Sequence, residues 1–269
     1  MKEHDNKSFI ELTRKEIRNL SMYFQERGMS HSRVNRIMSS LRSLLEFCSF
    51  DDDYNYEYNV GSRVKGLPKN PTREIVFLSD NQIQWLKAEL IRKNDWMRAT
   101  YLMLSYISAA RKAEVHQVRK EGLTTNFYTN SVTGKRKKKF RLYYTPEVQE
   151  LITNYLQDRG EDDISELFVK VHKNGKRQVV TKGAFNGWCT YFEELLIKKE
   201  KRRIPINPHC LRHSRLENLS RSGVPLEKLK SLAHHEDVST TANYLADRQE
   251  DDIAEIYGME KEEFAILSN

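Results

Sequence analysis

Apolar residues return every three to four positions through most of this chain, and two stretches switch to the alternation of strands. Thr13 and Glu16 form a capping box ahead of Ile17, Leu20 and Phe24, with Gly28 as the stop. A second helix carries Val34, Ile37, Leu41, Leu44 and Leu45 on one face and Ser32, Arg33, Arg36, Ser40 and Ser43 on the other. Ser49 to Tyr58 is acidic and aromatic and closes a small helical unit. Ser79 and Gln82 cap a helix over Ile83 to Ile91, and an apolar helix follows over Trp96 to Ile107. Two hairpins come next, one over Tyr128 to Tyr144 around Thr133-Gly134-Lys135, the other over Leu167 to Val180 around Asn174-Gly175. Helices resume at Gly183 and run to the end. There is no internal repeat. The expected fold class is mainly α with a small antiparallel β-sheet.

Composition sharpens the division of the chain. Its 269 residues fit one large domain or two unequal ones. Gly66, Pro68 and Pro71, interleaved with Lys65, Lys69 and Arg73, read as a basic linker. The expected organisation is a helical unit over 1–66, a linker over 67–75 and a larger unit over 76–269. The net charge is +7, which suits nucleic acid or an anionic membrane. No apolar run reaches the length of a membrane span, and the residues after Met1 lack a signal-peptide core. Cys48, Cys189 and Cys210 are odd in number and without metal-type spacing, which points to a reduced, cytoplasmic setting. The polar face with Arg33, Arg36 and Ser40 is either solvated or turned toward DNA phosphates.

The chemistry concentrates near the C-terminus. His209-Cys210-Leu211-Arg212-His213 is followed by Gly223, by Leu232-Ala233-His234-His235, and by Ser239-Thr240-Thr241-Ala242-Asn243-Tyr244. A guanidinium supplies a fork for phosphate oxygens, imidazoles carry protons, and a phenol can act as a nucleophile. Four histidines raise the question of zinc, but no His-Glu-x-x-His is present and the cysteines are not paired with them, so no metal is expected. Upstream, Ser108-Ala109-Ala110-Arg111-Lys112-Ala113-Glu114 and the basic turn Gly134-Lys135-Arg136-Lys137-Lys138-Lys139 complete the polar set.

These residues resemble the signature of the tyrosine recombinases, the phage-type integrases and Xer-like resolvases. In that family the text is His-x-Leu-Arg-His, a Gly eleven residues after the Arg, Leu-Gly-His, Thr-Thr and Tyr. Here Gly223 stands eleven and His235 twenty-three residues after Arg212, and Tyr244 nine after His235. The family's first arginine lies in Thr-Gly-Leu-Arg-x-x-Glu; Arg111 and Glu114 keep that spacing, while Ala109 replaces the glycine. Lys135 matches the first lysine of a Gly-Lys-x-x-Lys turn, with Lys137, Lys138 and Lys139 as alternatives. His234 replaces the glycine of Leu-Gly-His, which leaves the shape of the turn before His235 open and keeps His234 as the alternative ligand.

The resemblance implies a two-domain clamp around duplex DNA, with a helical core-binding domain and an integrase-type catalytic domain. It implies a site-specific recombinase that integrates and excises a mobile element through a 3′-phosphotyrosine, with no cofactor, metal or ATP. Tyr244 would be the nucleophile, Arg111 and Arg212 the phosphate clamp, and His209 the proton carrier. Lys135 would be the general acid and His235 a phosphate donor, with His213 structural. Arg33, Arg36, Ser40, Lys65, Lys69, Arg73, Arg136 and Lys137 would contact DNA. The segment Leu12 to Gly66 resembles the distal part of the core-binding domain, without its opening helix and without a further arm-binding domain. The implied partners are double-stranded DNA with a specific recombination site, a homotetramer formed on it, and accessory DNA-bending or directionality proteins; the location would be cytoplasmic, on the nucleoid. Ile253, Ile256 and Tyr257 read as a short amphipathic helix that is either packed locally or handed to a neighbouring protomer. Two other readings use the same residues: a type IB topoisomerase, and a DNA-binding regulator without catalysis.

Overall fold

Short polar residues set the helix starts of this chain. The Thr13 hydroxyl accepts from Glu16 N while the Glu16 carboxylate accepts from Thr13 N, which opens α1 (Arg14–Glu26). Ser30 caps α2 (His31–Phe50), Ser79 caps α3 (Asp80–Arg92) and Asp95 caps α4 (Trp96–Ile107). The structure is a computed structural model that describes residues 7–68, 76–124 and 126–234. The chain divides into two compact units, residues 1–74 and 75–269.

In the first unit α1 and α2 bury Ile17, Val34, Met38 and Leu45 between them, with Phe24 and Leu41 packed alongside. Asn35 ties the following segment back to α2: its amide donates to Leu67 O at 3.0 Å and its oxygen accepts from Leu67 N at 2.8 Å. Leu44, expected on the buried face, is 43% exposed. One helix and an irregular segment cover only a narrow stripe of α2, and Leu44 lies about 100° around the helix from Leu45. Val34, Met38, Leu45 and Cys48 are the buried residues of that stripe. Arg33, Arg36, Ser40 and Lys65 are exposed.

The second unit is built around α4, in which every residue from Ala99 to Ile107 is buried. It packs against α3, α6 (Pro146–Arg159) and α8 (Pro208–Arg221). Its Tyr101 ring stacks on Phe185 at 4.3 Å and meets Trp188 edge-on. Both hairpins form. β1 (Tyr128–Thr133) pairs antiparallel with β2 (Lys139–Tyr143), with Thr133 opposite Lys139, and β3 (Val169–Val171) with β4 (Arg177–Val179). The short α5 (Lys112–Val115) precedes the first hairpin, and α7 (Ala184–Glu200) and α9 (Leu226–Leu232) flank α8 in sequence. The fold is thus mainly helical, with two small antiparallel sheets among the described residues. No helix among them is long and apolar enough to cross a membrane.

The pattern reading omitted α6, although its signals are local. Pro146 occupies the first turn, Val148, Leu151, Ile152 and Tyr155 make the buried stripe, and Gly160 ends it at φ +72°. At that end the buried Arg159 donates from Nε to Asp162 at 2.6 Å and from Nη1 to Glu166 O at 2.7 Å. Arg177 and Lys120 converge on the same carboxylate. The Arg159 hydrogen bond, first among the causes, holds the Asp162 carboxyl well below the usual carboxylate range. Its contribution is therefore complete above the ordinary Asp value of about 4 and is lost only as pH falls through the depressed folded value. Asp162→Ala strips a buried guanidinium of its counter-charge and should cost about 3 kcal/mol in urea unfolding at pH 7.

Candidate active site

Helix α8 is fixed before any of its polar residues is placed. Leu78 N donates to Ser214 Oγ at 2.8 Å, and Asn218 Nδ2 donates to Leu78 O at 2.9 Å. Asn207 caps the helix by accepting from His209 N and Cys210 N, with Pro208 in the first turn. His209 therefore stands at the positive end of a fourteen-residue helix. Solvent reaches it. Partial desolvation lowers its pKa, helped by the charges of Arg212, Arg111 and Lys112 and opposed by Glu114. His213, one turn further on, meets the Phe77 ring in a T-shaped contact.

Arg212 is buried, 1% exposed. Nη1 donates to Ala109 O, and Nη2 donates to Ala233 O at 2.6 Å. One guanidinium thus joins two turns more than a hundred residues apart in sequence. Ala109 lies two residues before Arg111, and Ala233 two before His235. Both turns pass through left-handed backbone, at Ala109 (φ 48°) and at His234 (φ 52°). These are the two positions at which the recombinase pattern has glycine. The replacement leaves the backbone path a glycine would take, with a strain of about 1 kcal/mol per residue.

Arg111 is the N-cap of α5. Its N–H donates to Glu114 Oε2 at 2.7 Å and its Nη1 to Glu114 Oε1 at 2.9 Å. The Arg-x-x-Glu spacing is thereby explained: a carboxylate at the third helical position reaches back to the cap residue and also orients its guanidinium. The buried Glu114 was visible in the sequence only as a spacing.

The lysine turn is seated from two sides. Gln117 brackets Thr133, donating to its carbonyl at 3.0 Å and accepting from its N–H at 2.9 Å. A Cβ on Gly134 would lie 2.6 Å from Phe140 Cε1 and 3.2 Å from Glu114 Oε1, so the turn backbone packs where a side chain would not fit. Lys135, Arg136 and Lys137 are exposed. Phe140 stacks on His234, centroids 3.9 Å apart and planes 22° from parallel. Desolvation leads the causes that lower the His234 pKa; Arg212, Lys138 and Arg111 add to it and Glu114 opposes. Lys138 is the hairpin lysine whose charge is felt there.

The structure thus brings together Arg111, His209, Arg212 and the base of the lysine hairpin. His235, Tyr244, Lys69 and Arg73 lie outside the described residues, as does the segment with Ile253, Ile256 and Tyr257. Sequence reading missed Gln117 and Phe140, because a lone amide and a strand phenylalanine carry no distinguishing spacing.

A helical frame with two hairpins, in which α8 carries the buried arginine against the central α4, is that of the tyrosine recombinases. The chain belongs to the Phage integrase family, whose sequence profile matches residues 76–251. It is 30% identical over 232 residues to a tyrosine recombinase of Pseudothermotoga lettingae, covering 82% of this chain and 72% of that one. It is 26% identical over 258 residues to the SPbeta prophage-derived recombinase-like protein YomM of Bacillus subtilis, covering 89% and 75%. The Tn1549 transposon integrase, solved in complex with transposon right end DNA, superposes with a TM-score of 0.69 at 16% identity, covering 91% and 85%.

Three terms meet at Ala109. Glycine would relieve its left-handed strain, but would give up a buried methyl and loosen the unfolded chain. Ala109→Gly should therefore change stability by less than about 0.5 kcal/mol, whereas the β-branched Ala109→Val should cost more than about 2 kcal/mol. Chemical denaturation of the two variants checks both figures.

Proposed function

We propose that this chain is a site-specific DNA recombinase that cuts and rejoins duplex DNA through a 3′-phosphotyrosine on Tyr244. Tyr244 Oη attacks the scissile phosphorus, the P–O5′ bond breaks, and the phenolic proton passes to His209. Lys135, at the hairpin turn, protonates the departing 5′ oxygen. Arg111 and Arg212 hold the non-bridging oxygens and offset the charge that grows on phosphorus. His235 donates a further hydrogen bond to the phosphate. A 5′ hydroxyl from another strand reverses the step, so bond energy is conserved and neither ATP nor a divalent metal is required.

The observation that carries this reading is the shared Arg212 contact, which ties the turn before Arg111 and the turn at Ala233 to the helix that bears His209. The lowered His209 pKa supports a neutral imidazole able to accept the proton. Ionising a free phenol at pH 7 costs about 4 kcal/mol, and a nearby base with two guanidiniums reduces that cost. Residues 1–66 serve as the core-binding domain, with Arg33, Arg36 and Ser40 on phosphates, and Lys65, Lys69 and Arg73 continue that contact through the linker. Arg136 and Lys137 add hairpin contacts. Integration and excision of a mobile element fits the transposon and prophage names among the relatives. A homotetramer on paired sites, with its C-terminal segments exchanged and accessory proteins setting direction, completes the proposal.

Tyr244→Phe should abolish covalent attachment to a nicked target duplex while changing DNA affinity less than about fivefold, because one hydroxyl is lost and few binding contacts. Adducts formed by the Phe variant would move the nucleophile elsewhere, to Tyr191 or Tyr257. A second test uses pH. His209 must be neutral to accept a proton, and its pKa is lowered, so single-turnover cleavage should stay level as pH falls past the ordinary histidine value of about 6.5 and decline only below it. His209→Gln should remove that limb from the profile.

A further inference from the structure

We infer that the stack between His234 and Phe140 is a positioning contact that holds the β1–β2 hairpin against the site, so that His234 acts on the leaving-group step through the hairpin lysine. The inference rests on the reading of a hairpin lysine as the general acid.

Three observations meet at this contact. First, His234 stands where the recombinase pattern has glycine, and the backbone there is left-handed at φ 52°. An imidazole is a costly occupant for such a position unless its ring makes a compensating contact. Second, the ring does make one: it lies face to face with Phe140 at 3.9 Å and 22°. That contact buries one face of each ring against the other. Third, Phe140 is itself the surface on which Gly134 rests, since a Cβ at Gly134 would come within 2.6 Å of its ring. The order of contact is therefore His234 ring, Phe140 ring, Gly134 backbone, and then Lys135, the next residue in the chain. Gln117 fixes Thr133 from the α5 side, so the hairpin is held at two points. On the far side of the His234 turn, the Ala233 carbonyl accepts from Arg212. The stack therefore joins the lysine turn to the same turn that Arg212 holds.

No proton need pass through His234 for this role. Its flat ring and its place on a fixed turn suffice. An aromatic ring without a titratable proton should thus replace it, and glycine should not, even though glycine suits the backbone better.

The test compares single-turnover cleavage of two synthetic duplexes. One has the natural bridging 5′ oxygen at the scissile phosphate, and the other has sulfur in its place. When Tyr244 Oη bonds to phosphorus in the second duplex, the P–S bond breaks and the sulfur leaves as a stable thiolate, which needs no proton. A defect in delivering the leaving-group proton is therefore repaired by sulfur, and a general loss of structure is not. His234→Gly and Phe140→Leu should each slow cleavage of the oxygen duplex by roughly tenfold or more, and sulfur should bring both back to within about threefold of wild type. The double variant should be no slower than the slower single variant, because both remove one contact. His234→Phe should match wild type on both duplexes within about threefold.

Lys135→Ala and Lys138→Ala separate this proposal from the reading beneath it. If sulfur rescues a lysine variant but not His234→Gly, the stack is a packing contact only and the proposal is overturned. If sulfur rescues none of them, the hairpin acid is wrong and the proposal falls with it. If His234→Phe is as slow as His234→Gly on the oxygen duplex, the imidazole acts by its nitrogens and the stack is not its function.

Discussion

The buried guanidinium of Arg212 is the contact on which the arrangement of the site depends. A cation withdrawn from water is tolerated only where dipoles or counter-charges replace its hydration. Here two backbone carbonyls contribute to that replacement, those of Ala109 and Ala233. In sequence each stands two residues before a residue of the recombinase pattern, Arg111 and His235. The position of both turns is therefore measured from α8, and α8 is pinned in turn by Ser214 and Asn218 to the backbone of Leu78. Ala109 and Ala233 also share a small apolar cluster with Leu216 and Leu229, so the carbonyls are held in place by packing as well as by the charge they face.

This arrangement accounts for the two departures from the family's glycine pattern. What the turns require is a left-handed backbone that aims a carbonyl at Arg212. Glycine provides it without strain, but a residue with a side chain provides it too when other contacts offset the cost. At position 109 a buried methyl supplies the offset, and at position 234 an aromatic stack does. At both positions the backbone is left-handed although the residue is not glycine.

Much of this was legible in the sequence. The capping boxes at Thr13 and Ser79, the Trp96–Ile107 helix and both hairpins follow from residue chemistry within a few positions, and they appear in the structure. Leu44 was misplaced because periodicity defines a face but not how much of that face a partner covers. Helix α6 was overlooked between two hairpin signals, despite its proline start and glycine stop. The grouping of Arg111, His209 and Arg212 was expected from the resemblance to the tyrosine recombinases, not from any local pattern around Arg111. The carbonyl bridges of Arg212, the Gln117 bracket and the Phe140 ring were not, since contacts between distant segments leave no periodic trace. The sequence called attention to Ala109 and His234 as departures, but only the dihedral angles explain them.

Helix α4 has a further consequence. From Ala99 to Ile107 it has no exposed residue, and it touches α3, α6 and α8 at once. A helix enclosed in this way works as a bearing that cannot slide, because any shift along it would open voids on several sides together. α8 is mounted on that bearing. The mobility that a strand-exchanging enzyme needs is thereby excluded from the helix carrying His209 and Arg212 and relegated to its periphery. Among the described residues, the exposed tip of the β1–β2 turn, bent through left-handed Arg136 and Lys137, lies outside that enclosure, while its base stays held by Gln117 and Phe140.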